Sequence, residues 1–400
     1  MSTIEVNKIS PVSGGTATTL GDSGDTFTVT SGATFNASSS NLANRPNAQS
    51  LIINGSMQMA QRGTSATGKT GSGYYTCDRW NMSASSLGTW TQTQDTDVPT
   101  GYGFANSLKM DCTTADASPG AGDNLALQYS FEGQNLQLLR KGTSNAQKTT
   151  ISFWVKSVKT GTYICEVYDH DNSRTISTAY TISSGSTWEQ KIINIPGDTS
   201  GALGNDNAQS LSIQFHLAAG SNYTSGTLNT SWNANVNANR MVGQVNLGDS
   251  TSNDFWITGV QMEVGEYTSS TLPPFQHDTY AENLARCQRY FNMICDGTQK
   301  PIGNGLYWEA QEVFVTMPIN GSTMRTTPSI YQTTGTDYFS LYRNGAVDGL
   351  TELTINGSSS DRVISIYVAS AQGLASDTKN RPCFLRSSNA STKFGLNAEL

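Results

Sequence analysis

The sequence predicts an all-β protein: a jelly-roll β-sandwich, one short helix and a second, smaller β-sandwich, preceded by a short N-terminal β segment. Three observations predict it. Many segments alternate apolar and polar residues at period two, which puts one face of a strand in a core and the other outside it. Charged residues make up only 14% of the chain, and Ser, Thr, Asn and 38 glycines take their place, a composition that favours strands and turns over long helices. Helical periodicity with a proper start signal occurs convincingly in one place only.

In chain order, residues 1–45 come first. The run from Gly24 to Phe35 alternates apolar and hydroxyl residues between glycines, a strand-turn-strand pattern. It holds too little apolar surface to fold alone. The expectation is an attachment or trimerisation segment, with a disordered tail as the alternative.

Residues 46–275 form the main body. Strands are expected near 107–112, 126–131, 149–157, 162–168, 187–195, 210–217 and 254–264. In 149–156, Ile151, Phe153 and Val155 share one face, with Ser152, Trp154 and Lys156 on the other. In 210–217, Leu211, Ile213, Phe215 and Leu217 oppose Ser212, Gln214 and His216. So many half-buried strands in one stretch imply two packed sheets, hence the jelly roll.

Residues 276–295 carry the helix signal and read as a junction. Thr279 is an N-cap, and Glu282 three residues later completes a capping box. Leu284, Cys287 and Phe291 follow on one face, and Pro273-Pro274 breaks the preceding strand. Residues 296–400 return to strand patterns at 307–317, 338–343, 353–356, 363–369 and 384–386, the second sandwich.

Composition also excludes. The net charge is -7 and no basic run occurs, which argues against nucleic acid and against anionic membranes. The opening Met1–Ser10 lacks a basic start and an apolar run, so no signal peptide is expected. No stretch approaches the ~20 apolar residues of a membrane span. The expectation is synthesis in a host cytoplasm and work on a particle. The six cysteines follow no metal-binding spacing and read as buried free thiols.

Catalytic signatures are missing. The three histidines, His170, His216 and His277, sit in no nucleophile or zinc motif, and no phosphate loop is present. No catalytic residue, metal or cofactor is therefore expected. The 31 acidic residues leave open a chance carboxylate pair of the glycosidase kind.

Three motifs resemble a known family. Ile53-Asn54-Gly55-Ser56-Met57-Gln58-Met59-Ala60-Gln61-Arg62-Gly63 is followed by Tyr75-Thr76-Cys77-Asp78-Arg79-Trp80. Trp256-Ile257-Thr258-Gly259-Val260-Gln261-Met262-Glu263-Val264-Gly265 precedes Leu272-Pro273-Pro274-Phe275-Gln276-His277. Cys287-Gln288-Arg289-Tyr290-Phe291 comes last. In this order they resemble the carbohydrate-binding-like jelly-roll domain of phage tail fibres and related virion proteins, and Met1–Asn7 resembles the start of fibre proteins of marine and cyanobacterial phages. The resemblance implies a homotrimer, contact with other virion tail or capsid proteins through the N-terminal segment, and β-domains that meet a host surface glycan or envelope protein.

Sugar binding on a sheet needs aromatic faces and amide or imidazole hydrogen-bonders. Trp154, Gln214 and His216 stand on non-core faces, and Gln261 joins them on the last strand of the body. These four are the candidate ligand-binding residues. Trp154 packing under a loop or at a subunit interface is the alternative. Arg62, Asp78 and Arg79 read as structural, a buried ion pair in an uncharged chain. The function expected is adsorption to the host by a trimeric tail fibre or virion appendage. The alternative is a purely structural virion component, and a polysaccharide-degrading spike stands third.

Overall fold

Alternating side chains build the first lobe of the computed structural model, which describes residues 50–319 and 323–400. The expected N-terminal segment, 1–45, lies outside the described residues. The strands of the first lobe are β1 (Ser65–Lys69), β2 (Gly73–Tyr74), β3 (Trp80–Ser85), β4 (Thr89–Asp95), β5 (Ser107–Thr114), β6 (Asn124–Glu132) and β7 (Thr149–Ser157). They continue as β8 (Gly161–Asp169), β9 (Arg174–Ile182), β10 (Glu189–Ile195), β11 (Gln209–Ala219), β12 (Asn233–Ala234) and β13 (Asp254–Val264).

These strands form two antiparallel sheets. The six-stranded sheet runs β1-β4-β5-β13-β7-β10, and the seven-stranded sheet runs β12-β9-β8-β11-β6-β3-β2. The chain crosses between them repeatedly, so neighbours such as β5 and β13 or β6 and β11 are distant in sequence. This is the jelly-roll sandwich. Its core holds the inward faces of both sheets, including Trp80, Trp90, Tyr129, Phe153, Tyr163, Phe215 and Phe255. Each such side chain contributes about 1.5–3 kcal/mol by leaving water. All six cysteines are buried and unpaired.

Short α1 (Ser221–Thr224) sits in the connection between β11 and β12; α2 (Tyr280–Gln288) is the expected helix. Thr279 Oγ1 accepts from the Glu282 N–H at 3.3 Å, and Glu282 Oε2 accepts from the Thr279 N–H at 3.1 Å. Cys287 and Tyr290 enter the core of the first lobe. Phe291 is not on the helix. The helix stops at Gln288, and Phe291 opens a strand, opposite Asn397.

The second lobe contains β14 (Phe291–Asp296), β15 (Pro301–Glu309), β16 (Glu312–Pro318), β17 (Ser329–Gln332) and β18 (Phe339–Arg343). After these come β19 (Ala346–Leu350), β20 (Thr354–Ile355), β21 (Val363–Ala369), β22 (Pro382–Ser387) and β23 (Lys393–Asn397). A three-stranded sheet, β14-β23-β17, packs with a seven-stranded sheet, β19-β18-β22-β15-β16-β21-β20. The single strand expected over 307–317 is a hairpin. Glu309 pairs with Glu312, and exposed Ala310 and Gln311 make the turn.

A polar seam joins the lobes. Arg62 lies 3.7 Å from Asp78, as a buried pair, and also meets Glu399 at 3.5 Å. Arg79 is ion-paired with Glu399 and stacks 3.5 Å over the Tyr290 ring. Arg289 clasps Glu132 with two bonds of 2.7 Å. Partial burial of each charge is offset by a partner, as buried ions require.

Candidate functional site

A one-residue bulge decides which way Gln261 points. From Phe255 to Thr258, β13 pairs with β7 in simple register, with Thr258 opposite Trp154. The register then shifts, and Gln261 stands opposite Ser152. Strict alternation would have turned Gln261 into the core. The extra residue instead sends Val260 and Met262 inward and brings Gln261 to the outer face that Trp154 occupies. Gly259 makes this possible. Its φ is +60°, and a Cβ there would lie 2.5 Å from the Phe104 ring.

On that outer face is a cavity of about 600 Å³. Tyr102, Trp154, Gln190, Gln261, Phe275 and His277 form its working walls. Gln190 is directly opposite Trp154 on β10. The Tyr102 and Trp154 rings sit 4.2 Å apart, tilted by 47°. Phe104, Phe275 and His277 form a second aromatic group, with Phe275 5.1 Å from Phe104 and 4.8 Å from His277. Tyr102 is 55% exposed, so it is a lip over the cavity rather than part of the core.

Gln261 and Ser152 are buried polar residues of this cavity, and the Gln261 amide braces its wall. Its Nε2 donates to the Pro273 carbonyl at 3.1 Å. Its Oε1 is buried and has no hydrogen-bond partner among the described residues. An orphaned buried acceptor costs about 1–3 kcal/mol. Among the described residues, no Asp, Glu, Lys or Arg lines the cavity. Burial pushes the His277 imidazole below its ordinary value, with Asp278 opposing.

Beside the cavity the same face carries a closed ladder of tryptophans and lysines. Lys156 lies 4.1 Å over the Trp256 ring and is ion-paired with Asp97. Trp188 Nε1 donates to Asp97 at 2.9 Å, and Trp256 Nε1 to Asp95 at 3.0 Å. These polar groups are used up among themselves.

The structure brings Trp154 and Gln261 together and places Gln214 and His216 elsewhere. The latter two are on β11, in the opposite sheet, so the four candidates make no single site. His216 is fully buried. Its Nε2 is 3.1 Å from Glu166 Oε2, and Arg240 grips the same carboxylate at 2.8 and 2.6 Å. The face expected to be open is covered here, because Arg240 from the connection between β12 and β13 lies across it. Burial holds the His216 imidazole below its ordinary value. Gln214 accepts from Arg240 at 3.4 Å and donates to Ser212 at 3.3 Å.

Sequence reasoning missed Tyr102, Gln190 and Phe275, and it assigned His277 to no ligand site. One signal was present. Tyr102 stands between Gly101 and Gly103, both at positive φ, which marks an aromatic held out on a turn.

No protein-family model matches the chain, and no curated protein matches it. Similar solved structures include the enzymatically active domain of tailspike protein 4 of bacteriophage CBA120. That likeness has 14% identity and a TM-score of 0.29, over 54% of this chain and 21% of that one. A carbohydrate-binding module, CBM4, is 11% identical with a TM-score of 0.27, over 53% of this chain and 99% of the module. The family 11 module from Clostridium thermocellum, solved with a β-1,3-1,4-mixed-linked tetrasaccharide, is 12% identical with a TM-score of 0.26, over 50% of this chain and 96% of the module. The functional reading rests on the cavity.

Proposed function

We propose that the chain is a phage tail fibre or comparable virion appendage, and that it binds a host-surface glycan in the cavity between Trp154 and Gln261. The observation that carries this reading is the Tyr102–Trp154 ring pair lining the cavity, with the Gln190 amide opposite Trp154. The C–H face of a sugar stacks on such a ring, and its hydroxyls exchange hydrogen bonds with the Gln190 amide at the rim.

One such site is weak. Three copies in a homotrimer, attached to the virion through residues 1–45, would raise the apparent affinity by local concentration alone. The reading makes the protein a binding component of the virion rather than an enzyme.

The test is a glycan array probed with full-length protein and with Trp154→Ala, alongside the solution mass by light scattering. Binding that disappears in Trp154→Ala, with a mass near three times 42.8 kDa, supports the reading. A trimer that binds no glycan would favour a purely structural virion component instead.

A further inference from the structure

We infer that the outer face of the second lobe's seven-stranded sheet is the seam on which copies of this chain pack against one another. The inference rests on the homotrimer of the reading above and goes further by naming the surface that holds the copies together.

The central strands of this sheet are apolar on both faces. On β15, β16, β21 and β22 the inward side chains, among them Tyr307, Val313, Ile366 and Leu385, fill the core of the lobe. Their neighbours along the chain face outward and are apolar or aromatic too: Leu306, Phe314, Tyr367 and Phe384. A strand with one face in water alternates apolar with polar residues, and a strand covered on both faces does not.

The outward side chains are also contiguous. Pro382, Leu306, Phe314 and Tyr367 stand opposite one another across four adjacent strands. In the next row Phe384 stands opposite Tyr342, and Tyr342 opposite Val347. The Trp308 ring lies 6.2 Å from that of Phe314. Leu306, Trp308, Val347 and Val363 are between 42% and 59% exposed, and they are four of the nine large apolar side chains exposed among the described residues.

Size and charge point to another copy as the occupant. Seven strands about 4.8 Å apart, the central four of them six to nine residues long, give a face of about 30 by 20 Å. Each partner in a stable assembly gives up about 800 Å² of accessible surface, and a textured face of these dimensions supplies it. The charged side chains of the four central strands stand at the strand ends. Glu309 and Glu312 flank the hairpin between β15 and β16, and Arg386 is at the opposite end, across from Pro301. The centre is therefore uncharged and the rim carries both signs, as in interfaces between copies of one chain. A monomer rarely keeps so large an apolar face in water while it waits for a foreign partner. The partner made with every chain is another copy, and three copies turned inward about one axis cover one another's faces.

The experiment uses the full chain throughout. All six native cysteines are buried, so a cysteine introduced at exposed Thr316 on β16 reports whether the face is covered. Thr181→Cys, exposed on β9 of the first lobe, is the control. Maleimide labelling and light scattering are run on both, then repeated with Leu306→Lys and Val347→Lys added. Both of these side chains are more than half exposed in the single chain, so the fold tolerates the charges, which thermal unfolding checks. The expected result is a mass near three times 42.8 kDa, with Thr316→Cys labelled at least tenfold more slowly than Thr181→Cys. The added lysines should lower the mass to one copy and bring the two labelling rates together. A trimer whose Thr316→Cys reacts as fast as the control would overturn the inference, leave the trimer intact and mean that the face is open to a foreign ligand. A trimer that the added lysines do not dissociate would also overturn it. A monomeric wild type would remove the homotrimer itself and the inference with it.

Discussion

Gln261 and Pro273 are tied by a 3.1 Å bond from the amide Nε2 to the carbonyl, and this bond leaves the amide oxygen buried and unpartnered among the described residues, in the wall of an aromatic cavity. Pro273 belongs to the segment that follows β13 and returns across the sheet face. The bond therefore holds the wall of the cavity in place.

The bulge that aims Gln261 depends on Gly259. Gly259→Ala puts a Cβ at positive φ and 2.5 Å from the Phe104 ring. The expected cost is about 1–3 kcal/mol, with displacement of Phe104 and loss of sugar binding. Thermal denaturation and a binding titration on the same variant check both.

Lys141 is a second sensitive point. Its ammonium lies 2.5 Å from Asp169, 2.9 Å from Asp198, and 2.9 Å from each of the Ser200 and Gly201 carbonyls. All three charged side chains are nearly inaccessible. Lys141→Met strands buried Asp169 without its cation, while Asp198 keeps Arg174 at 2.8 Å. A loss of about 3–5 kcal/mol is expected in urea denaturation.

Asp78 gives a pH signature. Burial pushes its carboxyl up to about 6, against the opposing pull of Arg62 and the Gln61 amides. A carboxyl that ionises less readily folded than unfolded contributes stability below its ordinary value of 3.8, and that contribution is lost as pH rises through about 6. Asp78→Asn removes this slope. Between about pH 4 and about pH 7 the variant should gain stability relative to wild type. Chemical denaturation at several pH values checks the sign; the paired difference cancels buried Glu132 and Glu166, which are held low and act in the opposite direction.

Glu399 tests the seam between lobes. Glu399→Gln leaves Arg79, almost wholly buried, without its carboxylate. The expected loss is about 3–5 kcal/mol, and proteolysis should then release the lobes more readily than in wild type.

Much of the fold was legible in the sequence, because Ile151, Phe153 and Val155, or Leu211, Ile213, Phe215 and Leu217, write the core face directly. The capping box of Thr279 and Glu282 was equally plain. β4 and β9 were not, since their threonines, serines and glutamines leave few apolar residues to alternate. The site was half legible. Period two says that Trp154 and Gln214 both leave the core, but not which sheet each strand joins, and here they leave on opposite sides. Nor does it show that Arg240 covers His216, or that Gly259 shifts Gln261 by one place. Glu399 lies more than 300 residues from Arg79 and Arg62, a distance over which only the folded chain brings partners together.

The most direct measurement is a calorimetric titration of neutral trisaccharides (galactotriose, mannotriose and chitotriose) into wild type, Trp154→Ala and Gln214→Ala. The account predicts that Trp154→Ala abolishes binding and that Gln214→Ala, on the opposite sheet, leaves it unchanged. Binding that survives Trp154→Ala and is lost in Gln214→Ala would contradict it and move the site to the other face of the sandwich.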